Sequence, residues 1–435
     1  VVLSSYVKAY PFPLRPRTVL VFSTRKASVA LLPEDLYRRL EAGDIPPGAE
    51  GPLARLGVLV ADRGAEVEEA LGFLDRANRE TNGLTIAVIL GMECNFRCSY
   101  CYEGTLKGPG RMERSTEERL AAFVGERFRP GMDTVVVDFY GGEPLLYQDA
   151  VVRISGRLKS LVEERGGRFH CTLVTNGSLL TPEIVDELNP LGLMGVRVTL
   201  DGPQEIHDRF RPFRSGQGSY EAIVTNLKRC AGRTRIGLAG TYTRDNYRRF
   251  PELLDDLSGR GLGPDVVGPI QFSPVMRTTD EFAPPESCVG CASVNEEWVA
   301  EATVFLREEV LKRGYRPPKI APIACMVDLE YAFTVHYDGT LTKCPALVGH
   351  EEFVAGDLRE GFQDYRERFA LDRLHTAAAC RECEYLPLCL GGCRYMKYQR
   401  EGRMGVECQR RFLDRTLGPI LIQEARFSGK TRAPS

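Results

Sequence analysis

The sequence predicts an α/β protein: a partial (β/α)6 barrel, preceded by a small module of strands and helices and followed by a cysteine-rich domain. Three observations carry this prediction. Six short apolar runs alternate with helical stretches between residues 84 and 275, which implies parallel strands joined by right-handed crossovers. Two β-rich runs precede them without that alternation, and seven of the 14 cysteines lie beyond residue 320. The expected units are residues 1–80, 81–280 (the barrel), 281–320 (a bridging region), 321–415 (the cysteine-rich domain) and 416–435 (a C-terminal helix and tail). A chain of 435 residues suits two or three domains at ~150 each. Its net charge of −2 argues against a protein built around a nucleic-acid backbone. No apolar run reaches the ~18 residues of a membrane span, and the opening VVLSSYVKAYPFPLRPR lacks the pattern of a secretory signal. A cytoplasmic protein is therefore expected, its cysteines reduced or metal-bound rather than paired as disulfides.

The first module is read from TVLVFST (18–24) and ASVALLP (27–33), a hairpin across Arg25 and Lys26. Pro33 ends the second run, and residues 34–40 follow as a short helix that stops near Gly43. Two helical patches come next, GPLARLGVL and AEVEEALGFLDRAN. In the second, Val67, Ala70, Leu71 and Leu74 recur at helical spacing.

The barrel strands are expected at LTIAVIL (84–90), TVVVDFY (134–140), FHCTLVT (169–175), GVRVTL (195–200), RIGLAGTY (235–242) and GPIQFSPV (268–275). Ser115 with Glu118 reads as a capping box, before an apolar face of Leu120, Phe123, Val124 and Phe128. Thr181 with Pro182, and then Pro251, mark two further helix starts. Chemistry in such a fold sits at the C-terminal ends of the strands, and the motifs fall there. CNFRCSYC (Cys94 to Cys101) follows the first strand, GGEP (Gly141 to Pro144) the second, Thr175-Asn176-Gly177 the third, and Thr199-Leu200-Asp201-Gly202 with HDRFR (207–211) the fourth. Three thiolates on one tight loop can hold three corners of an iron–sulfur cubane and leave one iron open; a zinc knot or buried thiols are the alternatives. Beyond the barrel stand Cys325 and Cys344, then Cys380-x2-Cys383-x5-Cys389-x3-Cys393, and Cys408. These suffice to close one cluster and largely close a second, with zinc again the alternative. Cys171 and Cys230 read as core thiols. Cys288 and Cys291 read either as unligated loop thiols or as a further ligand source.

The cysteine loop, with Tyr100 before its last cysteine, and the GGEP turn resemble the radical S-adenosylmethionine (SAM) superfamily. The resemblance implies a [4Fe-4S] cluster on Cys94, Cys98 and Cys101, with SAM chelating its open iron. It implies Tyr100 beside the adenine and the Gly141-Gly142-Glu143-Pro144 turn at the methionyl amino group. Asn176 joins these as a SAM contact, and Thr199, Asp201 and Arg211 are candidates for ribose or carboxylate contacts. The C-terminal pattern resembles the SPASM extension, which implies two auxiliary [4Fe-4S] clusters and three clusters in all. By that resemblance Cys380, Cys383, Cys389 and Cys408 hold the distal one and Cys325, Cys344 and Cys393 the nearer one. Only three ligands are then assigned to the nearer cluster: its fourth would be Cys288, Cys291 or a substrate thiolate, or none, leaving an open iron.

The N-terminal module resembles the winged-helix peptide-recognition module of peptide maturases, which binds a leader peptide as an added strand; a plain packing cap on the next domain is the alternative. The runs ILGMECNFRCSYCYEG, VDFYGGEPLL, TLVTNG, VRVTLDGP and CLGGCRYMK, together with YPFPLRP and LVFSTRKAS, look like those of the geopeptide radical SAM maturases. This implies reductive SAM cleavage and thioether crosslinking of a Cys-rich precursor peptide that carries a leader. It also implies a low-potential donor such as flavodoxin or ferredoxin, and neither nucleic acid nor membrane as partner. In sulfatase maturases the cysteine matching Cys344 is followed by a proton-accepting aspartate; here Pro345 follows, which disfavours formylglycine formation. Carbon–carbon or carbon–oxygen crosslinking, side-chain oxidation, and a non-catalytic Fe–S or zinc scaffold are the competing readings. No general base is assigned.

Overall fold

The computed structural model describes residues 1–276, 290–291 and 293–427. Five strands open the chain: β1 (Val2–Leu3), β2 (Val7–Pro11), β3 (Thr18–Ser23), β4 (Ser28–Pro33) and β5 (Leu59–Val60). The hairpin of β3 and β4 forms as expected, in register from Ser23↔Ser28 to Thr18↔Pro33. β2 was not anticipated. Its VKAYP segment is half-buried without alternation, so backbone pairing to β3 and not an apolar face defines it. The stretch 51–59 splits into a helix Glu50–Arg55 and β5, which pairs with β1. The following patch is two helices, Arg63–Leu71 and Phe73–Glu80. Gly72 ends one by donating to the Glu68 carbonyl at 2.9 Å and opens the other by accepting from the Arg76 N–H at 3.0 Å.

The central sheet has ten strands, and the expected barrel provides six of them. β6 (Gly83–Ile89), β7 (Thr134–Tyr140), β8 (Arg168–Thr175), β9 (Leu193–Thr199), β10 (Ile236–Tyr242) and β11 (Val267–Pro274) lie in sequence order and pair in parallel throughout. Each matches its expected range to within two residues. Their outward residues, such as Val135, Val137 and Phe139, are buried with Leu120, Phe123, Ile154 and Leu158 of the crossover helices Arg114–Arg127 and Gln148–Glu163. Thr181 caps the helix Pro182–Leu188 by accepting from the Ile184 N–H at 3.4 Å, and Pro251 lies in the first turn of Phe250–Gly259. The Ser115–Glu118 capping box does not form. The helix begins at Arg114 with extended Glu113 in the capping position, so Ser115 is already inside the first turn and cannot act as a cap.

The sheet continues past the barrel. β12 (Ala332–Val335) runs parallel to β6 on the edge opposite β7, from Ala332↔Thr85 to Val335↔Val88. β13 (Thr340–Thr342), β14 (Gly356–Asp357) and β15 (Gly361–Phe362) then add antiparallel. The cysteine-rich domain is therefore stitched to the barrel by strand pairing. A long helix, Arg410–Phe427, crosses the expected boundary at residue 416 and packs on the helix Glu297–Lys312.

The N-terminal module sits on the cysteine-rich domain and on the C-terminal helix Arg410–Phe427. Phe12, Leu20 and Phe22 are buried with Tyr385, Leu417 and Leu421; Tyr6, Ala70 and Leu71 are buried with Leu374, Leu386 and Leu390. Gly418 permits the approach of Tyr10, whose ring carbon would lie 2.7 Å from an added Cβ. Among the described residues no helix is long and apolar enough to cross a membrane.

Candidate functional site

The C-terminal ends of the barrel strands enclose a cavity of about 380 Å³. Its wall includes all three thiols of the cysteine loop, together with Tyr100, Gly141, Gly142, Asn176, Thr199 and Arg211. Six of the nine expected SAM contacts thus share one surface with the thiols. Glu143, Pro144 and Asp201 lie behind it.

The two glycines are dictated by close approach. They have φ of +85° and +40°, and a Cβ on Gly142 would lie 2.0 Å from the Glu93 carbonyl oxygen. The Glu143 N–H donates to that same carbonyl at 2.8 Å, drawing the turn against the cysteine loop. Glu143 itself is fully buried. Its carboxylate accepts from the Leu145 N–H at 3.0 Å, the Thr175 hydroxyl at 2.7 Å and the Asn176 N–H at 2.7 Å, which fastens the end of β7 to the end of β8. Burial raises its pKa despite these donors.

A second buried group lies on the opposite side. The Tyr100 hydroxyl donates to Asp201 and accepts from Arg211 Nη1 at 2.8 Å, and Asp201 also accepts from the Thr241 N–H at 2.7 Å. Burial opposes the Arg211 charge, yet Cys98, Tyr100 and Asp201 together hold its pKa well above the usual range. His207 accepts from the Asp201 N–H at 3.2 Å and contacts the Ser219 hydroxyl at 3.0 Å; burial drives its pKa well down, so it is neutral. Asp201 is thus a brace for Tyr100 and Arg211, not a cavity surface.

The cavity residues that the sequence does not single out include Tyr102, Glu103, Lys107 and Tyr140. Glu103 is 5% exposed; one carboxylate oxygen accepts from the Gly142 N–H at 3.0 Å, and the other has no hydrogen-bond partner. Its only signal in the sequence was adjacency to the motif. Burial opposes the Lys107 charge, but Cys101, Cys94, Cys98 and Glu103 raise its pKa. Lys107 is therefore a resident cation for the thiol loop. The Tyr102 hydroxyl donates to that of Tyr140 at 2.9 Å.

The far wall comes from the cysteine-rich domain, through Ala346 and Tyr395. There the thiols form two groups. Cys380, Cys383, Cys389 and Cys408 bear electrostatically on one another, as do Cys325, Cys344 and Cys393. The Tyr140 hydroxyl feels both Cys101 and Cys344, so the cavity lies between the barrel loop and the second of these groups. Cys171 and Cys230 are core residues as expected. Cys291 is buried against the end of β11, its thiol 3.7 Å from the Met276 sulfur, while Cys288 lies outside the described residues.

The donor chemistry of all three groups fits iron–sulfur clusters. In each group burial pushes some of the thiols up, Cys101 to about 11, Cys344 to about 12 and Cys380 to about 11, so a bound metal supplies the drive to deprotonate these. Among the described residues no three His, Cys, Asp or Glu side chains meet closely enough to hold a single ion. The fit therefore rests on thiol number, the shared wall and the Lys107 charge.

Residues 88–257 match the family model described as the radical SAM superfamily. The chain carries a radical SAM domain. That domain begins in β6 and ends in the helix Phe250–Gly259. In sequence the chain is similar to the Fe-coproporphyrin III synthase of Methanosarcina barkeri, 31% identical over 163 residues, which are 37% of this chain and 38% of that relative. The chain thus spans well under half of that relative's length. In structure the radical SAM domain and its flanks resemble native anSMEcpe with bound AdoMet and Cp18Cys peptide, at a TM-score of 0.60 and 16% identity, covering 79% of this chain and 99% of that one. They also resemble Streptococcus suis SuiB bound to precursor peptide SuiA, at a TM-score of 0.55 and 12% identity, covering 93% of this chain and 98% of that one. The shared feature is the mixed α/β radical SAM fold.

Proposed function

We propose that this chain is a radical SAM enzyme that modifies a ribosomally made, cysteine-containing peptide by installing thioether crosslinks. One observation carries the reading: a single cavity has the thiol loop and the Gly141-Gly142 turn on one wall and the cysteine-rich domain on the other. Gly141, Gly142, Asn176, Thr199, Arg211 and Tyr100 are the residues that would hold SAM. When bound, SAM and its cluster supply one-electron chemistry that takes a hydrogen atom from a C–H bond. The chain's own part is placement and charge. Arg211, fixed by Tyr100 and Asp201, offers a cation to a carboxylate. Burial raises the Glu103 pKa, and its carboxyl, with one oxygen held by the Gly142 N–H, offers an ammonium a partner whose positive charge would favour the carboxylate. Cys380, Cys383, Cys389 and Cys408 would hold a distal auxiliary cluster and Cys325, Cys344 and Cys393 a nearer one, facing the substrate. No carboxylate follows Cys344, where Pro345 stands.

The N-terminal module is read as the leader-peptide site. Among the described residues β4 pairs only with β3, and Val29 and Leu31 on it are 44% and 38% exposed. A free strand edge with alternating apolar side chains suits an added peptide strand. The solved complexes of anSMEcpe and SuiB, both holding peptides, support a peptide substrate. A flavodoxin or ferredoxin would donate the electrons.

Two measurements test this. Anaerobically reconstituted protein should release 5′-deoxyadenosine from SAM, and Cys98→Ala should not. Co-expression with a Cys-rich precursor peptide should give crosslinked product with loss of two hydrogens and one alkylatable thiol per link. Crosslinks that leave every thiol alkylatable would mean carbon–carbon or carbon–oxygen bonds instead. The sequence match to Fe-coproporphyrin III synthase supports a second reading, a tetrapyrrole substrate, although it covers only 37% of the chain. Turnover of iron coproporphyrin in the same assay would favour it.

A further inference from the structure

Between the two thiol groups of the C-terminal domain lies a buried ionic cluster that the reading above does not use. Asp328, Arg373 and Arg394 are 7%, 3% and 2% exposed. Arg373 donates to Asp328 through both terminal nitrogens, at 2.9 and 3.1 Å, and to the Leu390 carbonyl at 2.6 Å. Arg394 donates to the same carboxylate through Nη2. Two guanidinium groups, which stay protonated in proteins, meet one carboxylate, so the cluster holds one positive charge in excess. The spare donors are visible: Nε and Nη1 of Arg394, and Nε of Arg373, are buried without a hydrogen-bond partner. Leaving a charge buried and unbalanced costs several kcal/mol, so a neighbouring anion is required.

The segments show where that anion belongs. Asp328 closes the turn that starts at Cys325, its N–H donating to the Cys325 carbonyl at 2.9 Å, and Arg394 directly follows Cys393. Arg394 bears electrostatically on Cys325, Cys344 and Cys393, whereas Arg373 bears on Cys380 of the other group. The two arginines thus face different thiol groups across one shared carboxylate.

We propose that Arg394, set in place by Asp328, is the counter-charge of a cluster held by Cys325, Cys344 and Cys393, and that it raises that cluster's reduction potential relative to the distal one. This rests on the reading that the three thiols hold a cluster. In one-electron reduction the cluster gains one negative charge and no proton; the excess positive charge beside it stabilises that state. Net charge and hydrogen bonding near the sulfurs are established determinants of such potentials. The device would make the nearer cluster the preferred acceptor of an electron released beside the cavity. Arg394 acts here as a positioning and charge-tuning residue, not a catalytic one.

The test uses the full reconstituted chain in a Cys94→Ala/Cys98→Ala/Cys101→Ala background, where only the auxiliary clusters remain. Iron and sulfide counts establish whether both are present. Reductive titration followed by electron paramagnetic resonance then reads two waves. At the potential where half of the nearer cluster is reduced, Arg394→Gln, which keeps a donor for Asp328, should lower the reduced-to-oxidised ratio about tenfold, equivalent to 59 mV for one electron. Asp328→Asn should move the same wave the opposite way and, because it also frees Arg373, raise the distal wave as well; Arg394→Lys should largely restore the nearer wave, and in Arg394→Gln the distal wave should stay in place. A purely structural role would not give shifts of opposite sign. Two clusters present with a nearer wave that stays put, or that moves the same way in both variants, overturns the inference alone. Loss of the nearer cluster's iron from the unsubstituted background chain overturns the reading beneath it as well.

Discussion

The thiols of the barrel loop and those of the C-terminal domain are brought together in different ways. Cys94, Cys98 and Cys101 lie within eight residues after one strand, so the local turn after β6 is enough to group them. Cys325, Cys344 and Cys393 come from distant segments, assembled by β12, β13, short helices and the Asp328–Arg373–Arg394 cluster. The first site is a local motif on a rigid scaffold; the second is a product of tertiary structure. Substitutions at the first should therefore cost chemistry and leave the fold. Substitutions at the second should cost both.

The sharpest contrast is Cys98→Ala against Asp328→Ala. The first should abolish 5′-deoxyadenosine formation while the thermal midpoint stays close to that of the parent. The second strands two buried arginines and should destabilise the fold by roughly 3–5 kcal/mol, seen as a large drop in midpoint or as insoluble protein. Equal stability of the two would erase the distinction. Next in size is Gly142→Ala, whose new methyl would meet the Glu93 carbonyl. Calorimetry should find SAM binding lost, with circular dichroism unchanged. Glu103→Gln should follow, weakening SAM binding about tenfold, or ~1.4 kcal/mol; unchanged affinity would show that its free oxygen serves no ligand. The smallest effect is expected at the join of the two regions. Burial lowers the pKa of His336, on the turn between β12 and β13, to about 4. The unfolded chain then binds a proton that the folded one refuses as pH falls from about 6.5 to about 4. Stability should decline through that window, and His336→Gln should flatten the decline in acid-unfolding curves.

Much of the barrel was readable because its evidence is local. Alternating apolar residues and polar turns located all six strands, and the cysteine loop, the glycine pair, Asn176, Thr199 and Arg211 do meet at one cavity. What could not be read depended on contacts distant in sequence. Glu143 and Asp201 were expected to touch SAM, but their carboxylates are taken up by Thr175, Asn176, Tyr100 and Thr241. Glu103 and Lys107 gave no sign of their position, because nothing in their own neighbourhood says which wall they line. The packing alternative for the N-terminal module named the wrong neighbour: its core lies on the cysteine-rich domain, joined by residues more than 300 positions away, as in the 3.1 Å pair of Lys8 and Glu384. β2 lacks the apolar alternation on which strand prediction depends.

The pairing of β12 with β6 acts as a ruler. β6 leads into the first thiol loop, and β12 lies between Cys325 and Cys344. Their register therefore sets the gap between the two thiol groups. A slip of two residues would keep every side chain on its own face yet move the groups by about 6.6 Å along the strand. Electron tunnelling falls off steeply over such distances. With clusters held at both groups, as proposed, the Ala332↔Thr85 to Val335↔Val88 register would fix an electron-transfer rate as well as a shape.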